Sequence, residues 1–109
     1  MPHLIFRGVA AEQLAPVSQQ LVEELAELCQ CGTDNFTLEC LQTTGVWAGK
    51  LAPSYPFVEI SWFERGTEVR NRFADIVTRH VHAAGVEEVE VAFRTFEPSH
   101  YYIQGVPCK

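Results

Sequence analysis

Pro2 is the residue of this sequence whose type and position offer the most distinctive chemistry. It directly follows Met1, so removal of Met1 would turn its ring nitrogen into a secondary amine at the chain terminus. A terminal amine has an ordinary pKa of about 7.7–8.0, and burial lowers that pKa because it disfavours the charged form. Such an amine can act as a general base or a nucleophile, which a proline inside a chain cannot. The alternative is that Pro2 is an ordinary residue at a frayed chain start.

The cysteines and histidines do not show the spacing of a metal site. Cys29 and Cys31 are separated by one residue, which is not the spacing of a redox or zinc pair, and the other two cysteines complete no tetrahedral set. His80 and His82 would point to different faces of a helix. We therefore expect four free thiols, no metal and no cofactor.

Composition excludes several classes of partner. The chain of 109 residues carries a formal net charge of −6 with only 8 Lys and Arg, whereas a nucleic-acid partner requires a basic surface. No apolar run approaches the roughly 18 residues of a membrane helix, and the first residues lack the basic-then-apolar pattern of a signal peptide. We expect a cytoplasmic protein with no nucleic-acid or membrane partner.

The first half of the chain is predicted to form a strand, a helix and a second strand. Residues 2–8 alternate with the two-residue period of a half-buried strand. An apolar stripe at three- and four-residue spacing predicts a helix that begins near residues 12–15, with Pro16 in its first turn and Gly32 as its stop. Residues 35–44 follow as a strand, and this βαβ order implies parallel pairing.

The same order then recurs in the second half. Residues 45–55 are dense in glycine and proline and are predicted to form a connecting loop. Residues 57–63 predict a strand, Thr67 is a candidate N-cap for the next helix, and Gly85 ends that helix. Residues 88–96 predict the fourth strand.

The two halves, residues 2–44 and 56–105, correspond. Arg7 and Arg65 each precede a glycine at the turn between a strand and a helix. A tandem βαβ repeat predicts a two-layer α/β (α+β) fold over residues 1–109, in which a four-stranded sheet carries two helices on one face. The other face would stay uncovered and partly apolar, which favours a homo-oligomer.

With these features the sequence resembles the tautomerase superfamily, which includes 4-oxalocrotonate tautomerase, 5-carboxymethyl-2-hydroxymuconate isomerase and macrophage migration inhibitory factor. The resemblance covers nearly the whole chain, and within the superfamily it is greatest to a small bacterial branch of unknown function. It rests on the Met-Pro start, the doubled βαβ pattern and the aromatic-glycine tail. The segments that carry it are Pro2-His3-Leu4-Ile5-Phe6-Arg7-Gly8-Val9, Tyr55-Pro56-Phe57-Val58-Glu59-Ile60-Ser61-Trp62-Phe63 and His100-Tyr101-Tyr102-Ile103-Gln104-Gly105.

The resemblance implies a homotrimer with bare sheet faces turned inward and a pocket at each subunit boundary. Pro2 would move a proton between carbon and oxygen of an enol or an α-keto acid. The family arginine that follows a strand and binds the substrate carboxylate resembles Arg7 in the first half and Arg65 in the second. The family's tail aromatic resembles Tyr101, with Trp47 as its first-half counterpart.

One family feature has no clear match. The nearest positions to the second family arginine hold Glu39 and Glu90, which would repel a carboxylate, and Arg94 lies a few residues further on. The candidate catalytic residue is therefore Pro2. The candidate substrate-binding residues are Arg7, Arg65, Arg94, Trp47, Tyr101 and Tyr102.

The sequence supports three hypotheses about function. The first is a proline-dependent keto–enol tautomerase or isomerase that acts on a small carboxylated molecule, with Pro2 as general base after removal of Met1. The second is a non-catalytic tautomerase-like trimer that binds a small ligand or a protein partner. The third is a structural α/β domain of a larger complex. If Met1 is retained, Pro2 is an ordinary amide and the first hypothesis fails.

Overall fold

The structure, a computed structural model, describes residues 1–109. Its helices and strands are, in chain order, β1 (His3–Arg7), α1 (Ala11–Cys29), β2 (Thr37–Leu41), β3 (Gly45–Trp47), β4 (Lys50–Ala52), β5 (Phe57–Trp62), α2 (Thr67–Ala83), β6 (Glu90–Thr95), β7 (Tyr102–Ile103) and β8 (Val106–Pro107). Neither helix is both long enough and apolar enough to cross a membrane.

Four strands form one mixed sheet in the order β2-β1-β5-β6. β1 is parallel to β2, β5 is parallel to β6, and the two pairs meet where β1 and β5 run antiparallel. The predicted doubled βαβ order is confirmed. Because β1 and β5 run in opposite directions, the start of β1 lies beside the end of β5.

Both helices pack on the same face of the sheet, which confirms the predicted two-layer α+β fold. Alternate residues of β1 and β5 point to that face, as the period of a strand requires. The fully buried side chains of this layer include Leu4, Phe6, Leu21, Leu25, Val58, Ile60, Trp62, Phe73, Val77 and Val81. Each buried side chain of this size stabilises the fold by about 1.5–3 kcal/mol relative to exposure, so this layer holds the helices on the sheet.

The opposite face, here called the open face, has no layer over it within the chain. Its three cross-strand rows are Thr37, His3, Ser61 and Arg94; then Glu39, Ile5, Glu59 and Ala92; then Leu41, Arg7, Phe57 and Glu90. This face is more polar than expected, because Trp62 points to the helix layer and three glutamates point away from it. A partner on this face must therefore accommodate charges as well as apolar groups.

Helix α1 begins earlier than predicted, and Pro16 does not lie in its first turn. The Ala10 carbonyl already accepts hydrogen bonds from the Gln13 and Leu14 amides at 2.9 and 3.0 Å. The Gln13 Oε1 in turn accepts from the Ala10 N–H at 3.0 Å. This reciprocal arrangement starts the helix at Ala11, and the amide hydrogen that Pro16 lacks is lost on an exposed side of the helix.

Two predicted helix ends were also wrong. Gln30, rather than Gly32, takes the left-handed conformation that closes α1, with φ of 55°. At the start of α2 the cap is Gly66, with φ of 95°, and Thr67 is the first helical residue. The Gly66 N–H donates to Glu64 Oε2 at 2.9 Å, and no side chain caps the first turn of α2.

The predicted loop over residues 45–55 contains a β-hairpin, β3–β4, and the tail contains a second one, β7–β8. Both turns have positive φ at their two central residues, which matches the tight turn favoured in two-residue hairpins. These angles are 52° at Ala48, 76° at Gly49, 52° at Gln104 and 80° at Gly105. The shared register makes Ile103 the counterpart of Trp47, so the predicted pairing of Trp47 with Tyr101 was wrong.

Candidate active site

Pro2 lies at the start of β1, with its side chain fully buried. Its carbonyl accepts a hydrogen bond from the Thr37 N–H at 3.2 Å, so strand pairing extends one residue beyond β1. Pro2 has no N–H to donate, and proline is tolerated at the start of a strand because the sheet does not need a donor there. Continuing the β1–β5 register by one residue places Pro2 opposite Trp62. Met1 precedes it at the surface and is 42% exposed.

The α-amino group at this end of the chain is in an unusual environment. Burial, and after it the positive charge of Arg65, hold the pKa of the Met1 amino group below its usual value. Both effects disfavour the charged ammonium form. Ionised thiols near the amine would act in the opposite direction, but they do not reverse the shift. An amine at this position is therefore biased towards its neutral, basic form.

Arg65 follows the end of β5, and its charge acts on the amine because the antiparallel pairing brings that end beside Pro2. Its guanidinium carbon lies 5.3 Å from the centroid of the Trp62 ring, within the range of a cation–π contact. Its Nη1 donates to the Phe63 carbonyl at 3.1 Å. No carboxylate of the chain forms an ion pair with Arg65, so its positive charge remains available to an anion.

Trp62 lies beside Pro2, although it was not among the predicted site residues. It is fully buried, against Phe73 and Phe93 at ring-centroid distances of 5.1 and 4.9 Å. Its indole Nε1–H has no hydrogen-bond partner, and an unpaired buried donor costs about 1–3 kcal/mol. Only the antiparallel pairing of β1 with β5 places Trp62 beside Pro2, and no local pattern in the sequence reveals that pairing.

His3 is a second residue near Pro2 that was not among the predicted site residues. Its ring nitrogens lie 2.7 Å from Thr37 Oγ1 and 3.0 Å from Tyr101 Oη. The second contact places Tyr101, a predicted substrate-binding residue, at the Pro2 end of the sheet. The position of His3 directly after Pro2 was the one available signal. Tyr102, which follows Tyr101 and was also predicted to bind substrate, is 61% exposed.

Arg94 lies in the same row of the open face as His3. Its Nε is 3.0 Å from Glu59 Oε1, and its side chain is 72% exposed. The ion pair offsets the charge of Arg94, which makes it a weaker anion binder than Arg65.

Arg7 and Trp47 lie at the opposite end of the sheet, and the chain does not bring them to Pro2. Arg7 is the fifth residue of β1 and Ser61 is the fifth residue of β5, so Ser61 is the counterpart of Arg7. Arg65 lies four residues further along the chain, and the predicted correspondence of Arg7 with Arg65 was wrong. The Arg7 guanidinium carbon lies 5.0 Å from the Phe57 ring centroid. It borders a surface cavity of about 440 Å³ together with Tyr55, Thr43 and Ser54 among others.

All four cysteines are free thiols. Burial raises the pKa of the Cys29 thiol and of the Cys40 thiol, which favours their neutral forms over the nucleophilic thiolates. The amine is therefore a better candidate for reactive chemistry in this structure than these two thiols.

The fold is that of proteins of the tautomerase superfamily. A fused 4-oxalocrotonate tautomerase, solved as an asymmetric trimer, superposes with a TM-score of 0.79 at 14% identity over 97% of this chain and 95% of that chain. A protein solved after inactivation by 2-oxo-3-pentynoate superposes with a TM-score of 0.77 at 14% identity, over 98% and 94% of the two chains. Macrophage migration inhibitory factor-like proteins share the fold as well.

The chain belongs to the family described as a domain of unknown function, DUF1904, whose model matches residues 1–107. A crystal structure of such a domain from Sebaldella termitidis is 31% identical over 98% of this chain and 99% of that chain, with a TM-score of 0.89. No curated protein matches the chain. The predicted resemblance to a tautomerase-like branch of unknown function is thereby confirmed.

Proposed function

We propose that this protein is a proline-dependent keto–enol tautomerase or related isomerase, with Pro2 as general base after removal of Met1. The observation that carries the proposal is the lowered pKa of the amine at the start of β1, caused by burial and by Arg65. A general base is most effective when its pKa lies near the operating pH. Once Met1 is gone, the ring nitrogen of Pro2 becomes the terminal amine in this same region.

The unpaired charge of Arg65 supports a small carboxylated enol or 2-keto acid as the substrate. A guanidinium binds a carboxylate through two parallel hydrogen bonds, and its planar fork also orients the bound group. Arg65 is held against Trp62 by the cation–π contact, so it would present its charge from a defined position. The neutral Pro2 amine would then take a proton from the carbon next to the substrate carbonyl.

We further propose a homotrimer, because large apolar side chains are exposed on both hairpins. Trp47 and Leu51 are 79% and 80% exposed on β3–β4, and Ile103 and Val106 are 58% and 64% exposed on β7–β8. Exposed apolar groups clustered in this way mark interaction surfaces. The radius of gyration of 15.0 Å exceeds the roughly 13 Å of a compact domain of this length, as expected for a chain with segments that pack on neighbours.

Two expectations from the sequence remain parts of this proposal. Both halves contribute to one buried core, so we propose that residues 1–109 act as a single tautomerase-like domain. The four free cysteines fit a reducing compartment, and we propose the cytoplasm as the location.

The decisive experiment compares Pro2→Ala with Pro56→Ala in protein shown by intact mass to lack Met1. Pro56 precedes β5 as Pro2 precedes β1, but it is never terminal. Ketonisation of phenylpyruvate and 2-hydroxymuconate should be lost only in Pro2→Ala. 2-oxo-3-pentynoate, an electrophilic keto acid, should add its mass to the Pro2 peptide. Processed protein that turns over none of these enols contradicts the proposal.

The open face favours a second candidate, a non-catalytic trimer that binds a small ligand or a protein. Arg94 is already paired with Glu59, and Glu39 and Glu90 add negative charge to the same face. These carboxylates would repel an anionic substrate. Retention of Met1 in the native host, with a stable trimer and no turnover, would support this candidate.

A further inference from the structure

His3 connects the strand that begins after Pro2 to the tail of the chain. Its Nδ1 lies 2.7 Å from Thr37 Oγ1 on β2, and its Nε2 lies 3.0 Å from Tyr101 Oη, just before β7. Both ring nitrogens are therefore occupied by hydroxyl groups. A neutral imidazole donates from one nitrogen and accepts at the other, so the tautomer of His3 decides whether Tyr101 donates or accepts.

The direction of the Tyr101 O–H bond depends on this contact. The His3 and Tyr101 rings stack at 6.3 Å between centroids, and Phe63 and Phe96 pack edge-on against Tyr101 at 5.1 and 4.8 Å. The Cys108 N–H donates to the Tyr101 carbonyl at 2.9 Å. Aromatic packing places the ring, while the tautomer of His3 sets the direction of the hydroxyl hydrogen.

We propose that His3 is a positioning residue that orients the Tyr101 hydroxyl and relays its proton, with Thr37 holding the His3 tautomer. The inference rests on the proposed function, in which Pro2 serves the carbon side of the substrate and leaves the oxygen side without a proton carrier. In the required tautomer, Nδ1–H donates to Thr37 Oγ1 and Nε2 accepts from Tyr101 Oη–H. The relay then ends at a tyrosine that touches the substrate oxygen.

The proton steps balance for ketonisation of an enol, the reverse of proton removal from carbon, in which Pro2 acts as the conjugate acid of the general base. The C=C electron pair takes a proton from the Pro2 ammonium and becomes the new C–H bond, while the enol O–H bond breaks and its electron pair becomes the C=O π bond. The enol proton goes to Tyr101 Oη, and the Tyr101 proton goes to His3 Nε2. The products are a neutral Pro2 amine and a His3 imidazolium, and solvent returns the proton from His3 to Pro2.

Other charged groups lie near the relay on the open face. Arg94 of β6 shares the row of His3 and Thr37, and Glu39 of β2 and Glu59 of β5 lie in the next row. None of them forms an ion pair with His3. Because Arg94 is paired with Glu59, these two charges largely offset each other at the relay, which leaves the hydroxyls of Thr37 and Tyr101 as its direct partners.

The test measures kcat, KM and the pH profile of ketonisation for His3→Gln, Thr37→Val and Tyr101→Phe. His3→Gln should lower kcat by about 100-fold, the lower end of the usual contribution of acid–base catalysis, with little change in KM. The pH profile of kcat should also change, because the Tyr101 proton has lost its acceptor. His82→Gln, on the exposed side of α2, is the matched control and should change nothing. Turnover with an unchanged profile in His3→Gln overturns the inference.

A measurement without turnover separates this inference from the proposed function. The ¹⁵N chemical shifts of the His3 ring report which nitrogen carries hydrogen, in wild type and in Tyr101→Phe. A hydrogen on Nδ1, with an Nε2 shift that changes in Tyr101→Phe, supports the relay even if no enol is turned over. A hydrogen on Nε2 overturns it even in an active enzyme. Tyr101→Phe keeps the ring packing, so it remains informative if His3→Gln does not fold.

Discussion

Pro2 and Pro56 occupy equivalent positions in the two halves of the sheet. The Pro2 carbonyl accepts from the Thr37 N–H at 3.2 Å, and the Pro56 carbonyl accepts from the Glu90 N–H at 3.1 Å. Each proline thus joins a central strand to the start of its parallel edge strand. The equivalence ends at the nitrogen, because only Pro2 is preceded by a single residue.

Neutralising Arg65 should raise the pKa of the terminal amine. The positive charge of Arg65 lowers this pKa, so its loss in Arg65→Gln makes the ammonium form less unfavourable. Burial still acts, and the pKa should stay below the ordinary 8.0. The pH dependence of amine acetylation, followed by peptide mass, measures the change in the protein with Met1 in place. Arg72→Gln on α2 is the control, and an equal shift in both variants would argue against a local effect.

Gly8→Ala should destabilise the protein more than Gly49→Ala. Both glycines have positive φ, 72° and 76°, where a side chain costs roughly 1–2 kcal/mol. At Gly8 an added Cβ would also lie 2.7 Å from the Ser54 carbonyl oxygen, while at Gly49 it meets nothing within 4 Å. Overpacking adds about 1–3 kcal/mol. Urea unfolding at fixed protein concentration measures the difference in the free energy of unfolding. Equal decreases in the two variants would show that the backbone at Ser54 moves away from the added Cβ at no cost.

The stability that Glu24 contributes should be lost as the solution becomes acidic. Hydrogen bonds from His80 and Arg79 hold the pKa of Glu24 below its ordinary 4.5. A carboxyl with a lowered folded-state pKa contributes stability above pH 4.5, and the contribution is lost as pH falls through that lowered pKa. The pair is partly exposed, so Glu24→Gln should cost about 0.2–1 kcal/mol at neutral pH. Glu27→Gln is the control. Unfolding at several pH values should show a lower free energy of unfolding at neutral pH for Glu24→Gln but not for Glu27→Gln.

A charge on the first hairpin should weaken assembly without unfolding the chain. Trp47 is 79% exposed on β3, so Trp47→Glu removes no core contact but places a carboxylate in the proposed subunit contact. Sedimentation should show a shift from trimer to monomer, with an unchanged far-ultraviolet circular dichroism spectrum. Gln20→Glu adds the same charge to an exposed position of α1 and should leave the trimer intact. A monomeric wild type would refute the trimer itself.

Much of the fold could be predicted because local patterns carry it. The two-residue alternation of β1 and β5 and the apolar stripes of the helices predicted four strands, two helices and their order correctly. Boundaries were less accurate where backbone geometry rather than residue type ends an element. Gln30 closes α1 in a conformation usually left to glycine, and the hairpin turn at Ala48 places alanine in the same region, so neither position was recognisable from composition.

The sequence by itself predicted Pro2 as the candidate amine, because it directly follows Met1, and predicted the two βαβ units. Which residues surround that amine was decided by the tertiary structure alone. Antiparallel pairing of β1 with β5 brings Trp62 and Arg65 to Pro2 and sends Arg7 and Trp47 to the far end of the sheet. Such pairing depends on burial of both halves in one core, a long-range effect that no local spacing encodes.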